Sequence, residues 1–229
     1  MVKIDDNVIK QPITFIGKQA GIAYGSDTTD DIKNYKRGLQ CIKDGHGRVL
    51  EFIDVFMSIE GYSNRVIREF MRHVGDGLTV IQESTRYVDF SQGFDVVVPP
   101  SIKNNKDSHL IDVYTSAIRG CRDAIDELMR NDIPKEDAQM LIPLGATTKL
   151  AVKKNLRNLV EMSRVRLCNR AYWEFRKLMH EIMDELSKIS GEWEWLVKNL
   201  FYPKCEENGV CKEKFGCGKY KFEEFKERD

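Results

Sequence analysis

The stretch Arg72-His73-Val74-Gly75-Asp76-Gly77-Leu78-Thr79-Val80-Ile81-Gln82-Glu83-Ser84-Thr85-Arg86-Tyr87 is the one around which the remainder of the chain is organised. It gathers arginine, histidine, glutamine, glutamate, serine and threonine side chains about a Gly-Asp-Gly bend, a density of hydrogen-bonding groups that no core needs. That mixture suits an anionic, planar ligand. Ser84-Thr85-Arg86-Tyr87 offers a phosphate hydroxyls, backbone N–H groups and a guanidinium able to make two parallel bonds. The competing reading has Arg72 and His73 closing a helix at its carbonyl end, with Gly75-Asp76-Gly77 as the turn. It suffices for either residue alone but not for the whole stretch.

Upstream, Ser63 is placed to cap a helix whose Val66, Ile67, Phe70 and Met71 face inward, with Arg65, Arg68, Glu69 and Arg72 along the other side. Before it, Val49 to Glu60 alternates with the period of a strand: Ile53, Val55, Met57 and Ile59 on one face, Phe52, Asp54, Phe56 and Ser58 on the other, broken by Gly61. From Asp27 the pattern is helical, with Thr28 or Thr29 as N-cap, Ile32, Tyr35, Leu39 and Ile42 as the apolar stripe and Gly45 as the stop, delivering His46 to a loop. Ile9 to Tyr24 reads as irregular, an edge strand and a loop.

Downstream, Phe94 to Val98 predicts a short strand stopped at Pro99-Pro100. A long amphipathic helix follows from about Asp107, with Leu110, Val113, Tyr114, Ile118, Cys121 and Ile125 among its buried positions. Pro134 opens a short helix closed by Pro143 and Gly145. Asn155 to Arg166 and Ala171 to Leu186 read as two more helices, rich in arginine at Arg157, Arg164, Arg166 and Arg170. An anionic partner and a solvated basic face are both open readings of that run.

The chain has 229 residues, 41% of them hydrophobic, enough to bury a core as one domain with a small appendage. Its 36 basic and 36 acidic residues balance, which argues against a polycationic grip on nucleic acid or an anionic membrane and favours a small ligand. No apolar run approaches the ~20 residues needed to span a bilayer, and the start lacks a signal-peptide core, so a cytoplasmic location is expected. Cys41, Cys121 and Cys168 lie in apolar helical patterns and read as reduced core thiols. Cys205, Cys211 and Cys217 follow Trp193 and Trp195 in the tail; their even five-residue gaps depart from the two-residue gaps of zinc modules, and the reading is of reduced thiols with no metal.

Several separated blocks in one order carry a resemblance. Gly45-His46-Gly47-Arg48-Val49-Leu50-Glu51-Phe52, Phe56 to Ser63, Arg72-His73 and Ser84-Thr85-Arg86-Tyr87, followed by Ile142 to Gly145, Asn155-Leu156-Arg157-Asn158-Leu159, Val165-Arg166-Leu167 and Ala171 to Arg176, resemble the flavin-dependent thymidylate synthases over roughly residues 20 to 185. The resemblance implies an α/β fold of the α+β type, mixed helices around a small, mostly antiparallel sheet, assembled as a homotetramer. It implies a flavin- and nucleotide-binding catalytic domain over 1–190 and a C-terminal helix and cysteine tail over 191–229. It also implies reductive methylation of dUMP to dTMP, using FAD, NADPH and methylenetetrahydrofolate. Another flavin- and folate-dependent product, such as a hydroxymethylated nucleotide, and a non-catalytic binding protein are the alternatives.

By the same resemblance His46, Arg48, Arg72, His73, Asn155, Arg157 and Glu161 fall on the flavin side. Glu69, Gln82, Glu83, Ser84, Thr85, Arg86 and Gln139 fall on the nucleotide side, and Arg166 on the arginine that polarises the uracil ring. The chain departs from the family at Val74, which replaces an arginine, at two extra residues before Ser84, and at Glu69, Gln139, Glu161 and Arg170. These changes make the pocket less positive unless Lys149, Lys153 or Arg170 compensates.

Overall fold

The computed structural model describes residues 1–73, 78–90 and 93–224. The Gly75-Asp76-Gly77 bend and Val74 lie outside the described residues. The elements in chain order are β1 (Val2–Ile4), α1 (Pro12–Ala23), α2 (Asp31–Lys43), a 3-10 helix (Gly47–Phe52), β2 (Asp54–Ser63), α3 (Asn64–Phe70), β3 (Thr79–Gln82) and α4 (Pro100–Lys103). They continue with α5 (Ser108–Arg130), α6 (Lys135–Ala138), a second 3-10 turn (Gln139–Leu141), β4 (Thr147–Asn155), α7 (Leu156–Arg166), α8 (Trp173–Ser187), α9 (Gly191–Leu200) and α10 (Lys204–Asn208). The strands form one antiparallel sheet in the order β1-β2-β4-β3, the mixed α/β architecture expected. By contacts the chain divides into two compact units, one of Met1, Ile59–Arg72 and Ile81–Ala151, the other of Val2–Ser58, His73–Val80 and Val152–Asp229.

The alternation read in β2 is real. Ile53, Val55, Met57 and Ile59 are all buried, while Phe52 and Phe56 on the opposite side are exposed. Two boundaries differ from expectation. The segment before Ile53 coils into the 3-10 helix, and the strand does not end at Gly61 but runs to Ser63. Gly61 sits at φ +74°, a conformation glycine adopts without penalty, and past it the alternation shifts so that Tyr62 and Ser63 are both buried. Ser63 then accepts a hydrogen bond from the Val66 N–H and caps α3, as its position predicts.

In the second unit, Pro12 to Ala23 is a helix where the sequence read as irregular, because Pro12 starts it and its apolar residues are sealed by a neighbour. That neighbour is α2, capped by Asp30 and buried through Asn34, Gly38 and Cys41; Ile32, on the expected apolar stripe, is 70% exposed. Glycines explain the rotation. A Cβ on Gly17 would stand 1.7 Å from the Asn34 carbonyl oxygen, and one on Gly38 would stand 2.0 Å from that of Ile13, so the helices touch backbone to backbone. Glu192 adds a cap across the same region, its carboxylate accepting from the N–H groups of Ile13 and Thr14 at 2.6 and 3.0 Å. The docking helix α9 buries Trp193, Leu196 and Val197, and the indole N–H donates to the Ile9 carbonyl at 2.8 Å.

In the first unit, Phe94, Ile118, Ile125 and Ala146 form a small core. The expected strand at Phe94 to Val98 reduces to a single bridge between Val96 and Ala146. The helix from Asp107 forms as read, with Asp107 as its N-cap, but only Ile118 and Ile125 of its apolar stripe are fully buried. Gly38→Ala is expected to lower the midpoint of thermal unfolding by roughly 5 °C or more, because the added methyl must force α1 and α2 apart. Calorimetry checks it, and an unchanged midpoint would show that the backbone contact is slack.

Candidate active site

The first unit brings together residues of the expected nucleotide side. β3 and the start of α3 place Gln82 against Asn64: Gln82 Nε2 donates to Asn64 Oδ1 at 3.0 Å and approaches Thr148 Oγ1 at 3.4 Å. Asn64 Nδ2 in turn donates to the Ala146 carbonyl at 3.0 Å. This chain of amides borders an open cavity of about 490 Å³ whose lining includes Arg68, Thr85, Gln139 and Leu144. Gln139 is 3% exposed; its Nε2 donates to the Val88 carbonyl at 3.1 Å, while its Oε1 has no partner among the described residues. A buried acceptor left open costs about 1–3 kcal/mol, so a donor brought by a ligand would be well received there.

Ser84 turns the chain, its Oγ accepting from the Arg86 N–H at 3.2 Å and its carbonyl from the N–H groups of Tyr87 and Val88. Arg86 is exposed and donates through Nε to Glu136 at 2.6 Å. Both partners are well solvated, so the pair is weak, and its carboxylate occupies the place a phosphate would take on the guanidinium. Glu83 joins the sheet by its backbone, donating to the Lys149 carbonyl at 2.9 Å. Glu69 lies half-buried on α3, and Arg72 is exposed just beyond its end.

The second unit assembles two groups, one of residues expected on the flavin side and one that joins His73 to Arg166, the residue expected at the uracil ring. In the first, Arg157 of α7 lies over Gly47 of the 3-10 helix, its guanidinium 3.6 Å from where a Cβ would be, with His46 and Arg48 exposed on either side of that glycine. Arg157 donates to Glu51 at 2.6 Å and to Glu161 at 3.2 Å, which raise its pKa in that order. Asn155 is spent locally, accepting from the Asn158 N–H as the N-cap of α7. This set, one guanidinium held by carboxylates with the exposed His46 and Arg48 flanking Gly47 in sequence, has the donor chemistry to meet a diphosphate and the carbonyl edge of a flavin.

The second group is built on His73. Its Nε2 accepts from Arg166 Nε at 2.7 Å, so the imidazole is neutral with its proton on Nδ1. Its backbone carbonyl accepts from Lys154 Nζ at 2.7 Å. The ring meets Phe175 edge-on at 5.7 Å, and the Arg166 guanidinium lies 4.5 Å over the same phenyl ring. Arg166 is thereby fixed in direction as well as position.

Sequence reading missed Lys154 and the strand that carries it. In Thr147–Asn155 the residues Thr148, Leu150, Val152 and Lys154 alternate inward and all are buried, Lys154 completely. The signal was a period of two obscured by three lysines, with one lysine on the apolar face. Burial lowers the Lys154 pKa from 10.5 to about 8, with Glu161 opposing the change. Among the proposed compensating cations, Lys153 is paired with Asp54 at 2.9 Å and Arg170 with Glu213.

The family model described as "Thymidylate synthase complementing protein" matches residues 9–190. A flavin-dependent thymidylate synthase of Nitratidesulfovibrio vulgaris is 30% identical over 208 residues, covering 83% of this chain and 79% of that protein. One from Pyrococcus abyssi is 28% identical over 220 residues, covering 91% and 88%. The match to the enzyme of Geobacter sulfurreducens, 36% identical over 140 residues, spans 61% of this chain and 59% of that relative's length. Among solved structures, the flavin-dependent thymidylate synthase of Helicobacter pylori in complex with FAD and dUMP superposes with a TM-score of 0.68 at 19% identity, covering 87% of this chain and 99% of that one, a likeness of fold. The chain belongs to the family of flavin-dependent thymidylate synthases.

Lys154 carries a testable pH signature. Between pH 8 and about 10.5 the folded chain has released the Lys154 proton and the unfolded chain still holds it, so this residue's contribution to stability rises with pH across that window. Urea denaturation of the protein and of Lys154→Met should therefore diverge over the same range, with the variant lacking the rise. Parallel pH curves would contradict the depressed pKa.

Proposed function

We propose that the protein is a flavin-dependent enzyme that converts dUMP to dTMP, with methylenetetrahydrofolate as the one-carbon donor and NADPH as the reductant. FAD, when bound, supplies the hydride chemistry. The observation that carries the reading is the Arg166–His73 pair seated on Phe175, within a chain whose residues 9–190 match the family. We further propose that 1–190 is the catalytic part and 191–229 an appendage, that the active form is a homotetramer, and that it works in the cytoplasm. No described helix is long and apolar enough to cross a membrane.

The residues divide the work as follows. His46, Arg48 and Arg157 offer cationic and N–H groups to FAD, with Glu51 and Glu161 released from Arg157 or retained as acceptors. Arg72 adds an exposed cation. Ser84, Thr85 and Arg86 hold the nucleotide phosphate once Glu136 yields, and Gln82, Glu83, Glu69 and Gln139 face its base and sugar. Gln139 Oε1 is an acceptor for a ligand N–H. Arg166, its direction set by His73 and Phe175, stabilises negative charge developing on the pyrimidine ring. Ser84 holds phosphate and does not attack. Positioning and electrostatics are the protein's share of the catalysis.

Arg86→Ala should weaken dUMP binding by roughly 2 kcal/mol, the loss expected of a charge-assisted contact, measured by calorimetric titration. Arg166→Ala should lower kcat beyond any loss of nucleotide affinity, and a pure affinity effect would remove its electrostatic role. The reading as a whole rests on the absorbance of the bound flavin during titration with dUMP, followed by product analysis. A spectrum that shifts with the nucleotide, and dTMP as product, are the expected results; a hydroxymethylated nucleotide or no product would replace the assigned reaction.

A further inference from the structure

The C-terminal tail follows the segment matched by the family and is held together in an unusual way. Phe201 is buried, but no residue from 202 to 224 is, and Phe215 is 78% exposed. A segment with no core of its own needs some other cross-link to keep a defined path. One feature of its surroundings supplies the material. A cavity of about 280 Å³ is lined by four cysteines, Cys168 from the turn after α7 and Cys205, Cys211 and Cys217 from the tail, all reduced.

The local backbone reaches one of these sulfurs. Cys217 is followed by Gly218 at φ +85°, and the Lys219 N–H and the Asn169 side chain hydrogen-bond the Cys217 sulfur. A backbone N–H two residues beyond a cysteine, aimed back at its sulfur, is the arrangement that supports a metal-bound thiolate. Arg170 and Lys219 line the same cavity, Arg170 paired with Glu213 and Lys219 with Glu206.

We propose that Cys168, Cys205, Cys211 and Cys217 form a structural tetrathiolate site for a soft divalent cation of the zinc class, which staples the tail to the turn after α7. Among the described residues no three ligating side chains converge closely enough to hold an ion as they stand. Closure therefore requires the thiols to rotate inward, to sulfur–metal distances of about 2.3 Å, with release of their protons. The gaps of five residues within the tail are long for a zinc module taken alone. Cys168, distant in sequence, completes the set of four.

The test uses the full chain purified under reducing conditions. Elemental analysis should find one zinc ion per chain, released by a mercurial thiol reagent. Cobalt(II) replacement should give thiolate charge-transfer bands and the intense visible bands of a tetrahedral site. Cys211→Ser with Cys217→Ser should lose the metal and open Lys212 and Lys214 to trypsin, whereas Cys41→Ser with Cys121→Ser should keep it. A reduced protein that takes up neither zinc nor cobalt overturns the proposal, as does metal retained by the Cys211→Ser, Cys217→Ser variant. Loss of free thiols to a disulfide without any metal also overturns it.

Discussion

His73 is gripped from several sides, and the direction of the Arg166 guanidinium depends on that grip. The completely buried Lys154 donates to its carbonyl, Arg166 donates to its Nε2, and Phe175 receives the edge of its ring. An ammonium taken fully out of water is costly unless its hydrogen bonds are met, and the carbonyl of His73 meets one of them. Burial of Lys154 thus secures the backbone at His73, near the beginning of the Arg72 to Tyr87 stretch. The same imidazole holds Arg166 over Phe175, so a flexible side chain becomes a directed charge. Arginine suits this use because its planar guanidinium stacks on a ring while its N–H groups remain fixed in direction.

Elsewhere, cations proposed to meet anionic ligands already carry carboxylates: Arg86 on Glu136, Arg157 on Glu51 and Glu161, Arg170 on Glu213. This is how a chain with balanced charge can still present anion sites. The pairs are solvated and individually weak, so exchange of a carboxylate for a phosphate costs little and gains a second negative charge. Gln139 represents the opposite case. It is buried and its Oε1 lacks a partner among the described residues, an incomplete polar site that stabilises nothing until a donor arrives.

Much of the architecture was legible from local pattern. The alternation of β2, the Ser63 cap, the long helix beginning near Asp107, and the helices after Asn155 and Ala171 all follow from period and capping chemistry. What escaped was decided by partners. The helix from Pro12 to Ala23 has mixed local signals and owes its place to the glycine contact with α2, which also turned Asn34 and Gly38 inward in place of Ile32. The strand from Thr147 to Asn155 was hidden by its lysines, since charge on one face masks a period of two unless burial of the other is known.

By itself the sequence determined the family, the fold class and the kinds of side chain offered to the proposed site, because motif order and hydrophobic period are properties of the chain alone. Only the tertiary structure decided which of those side chains are free to meet a ligand and which are committed to the protein. Asn155 is spent as a helix cap, Arg157 and Arg86 are shared with carboxylates, and Arg166 is aimed by a histidine 93 residues away. A hydrogen bond of less than about 3 Å requires a placement that spacing along the chain cannot specify, and burial, which sets the charge state of Lys154, depends on every element around it.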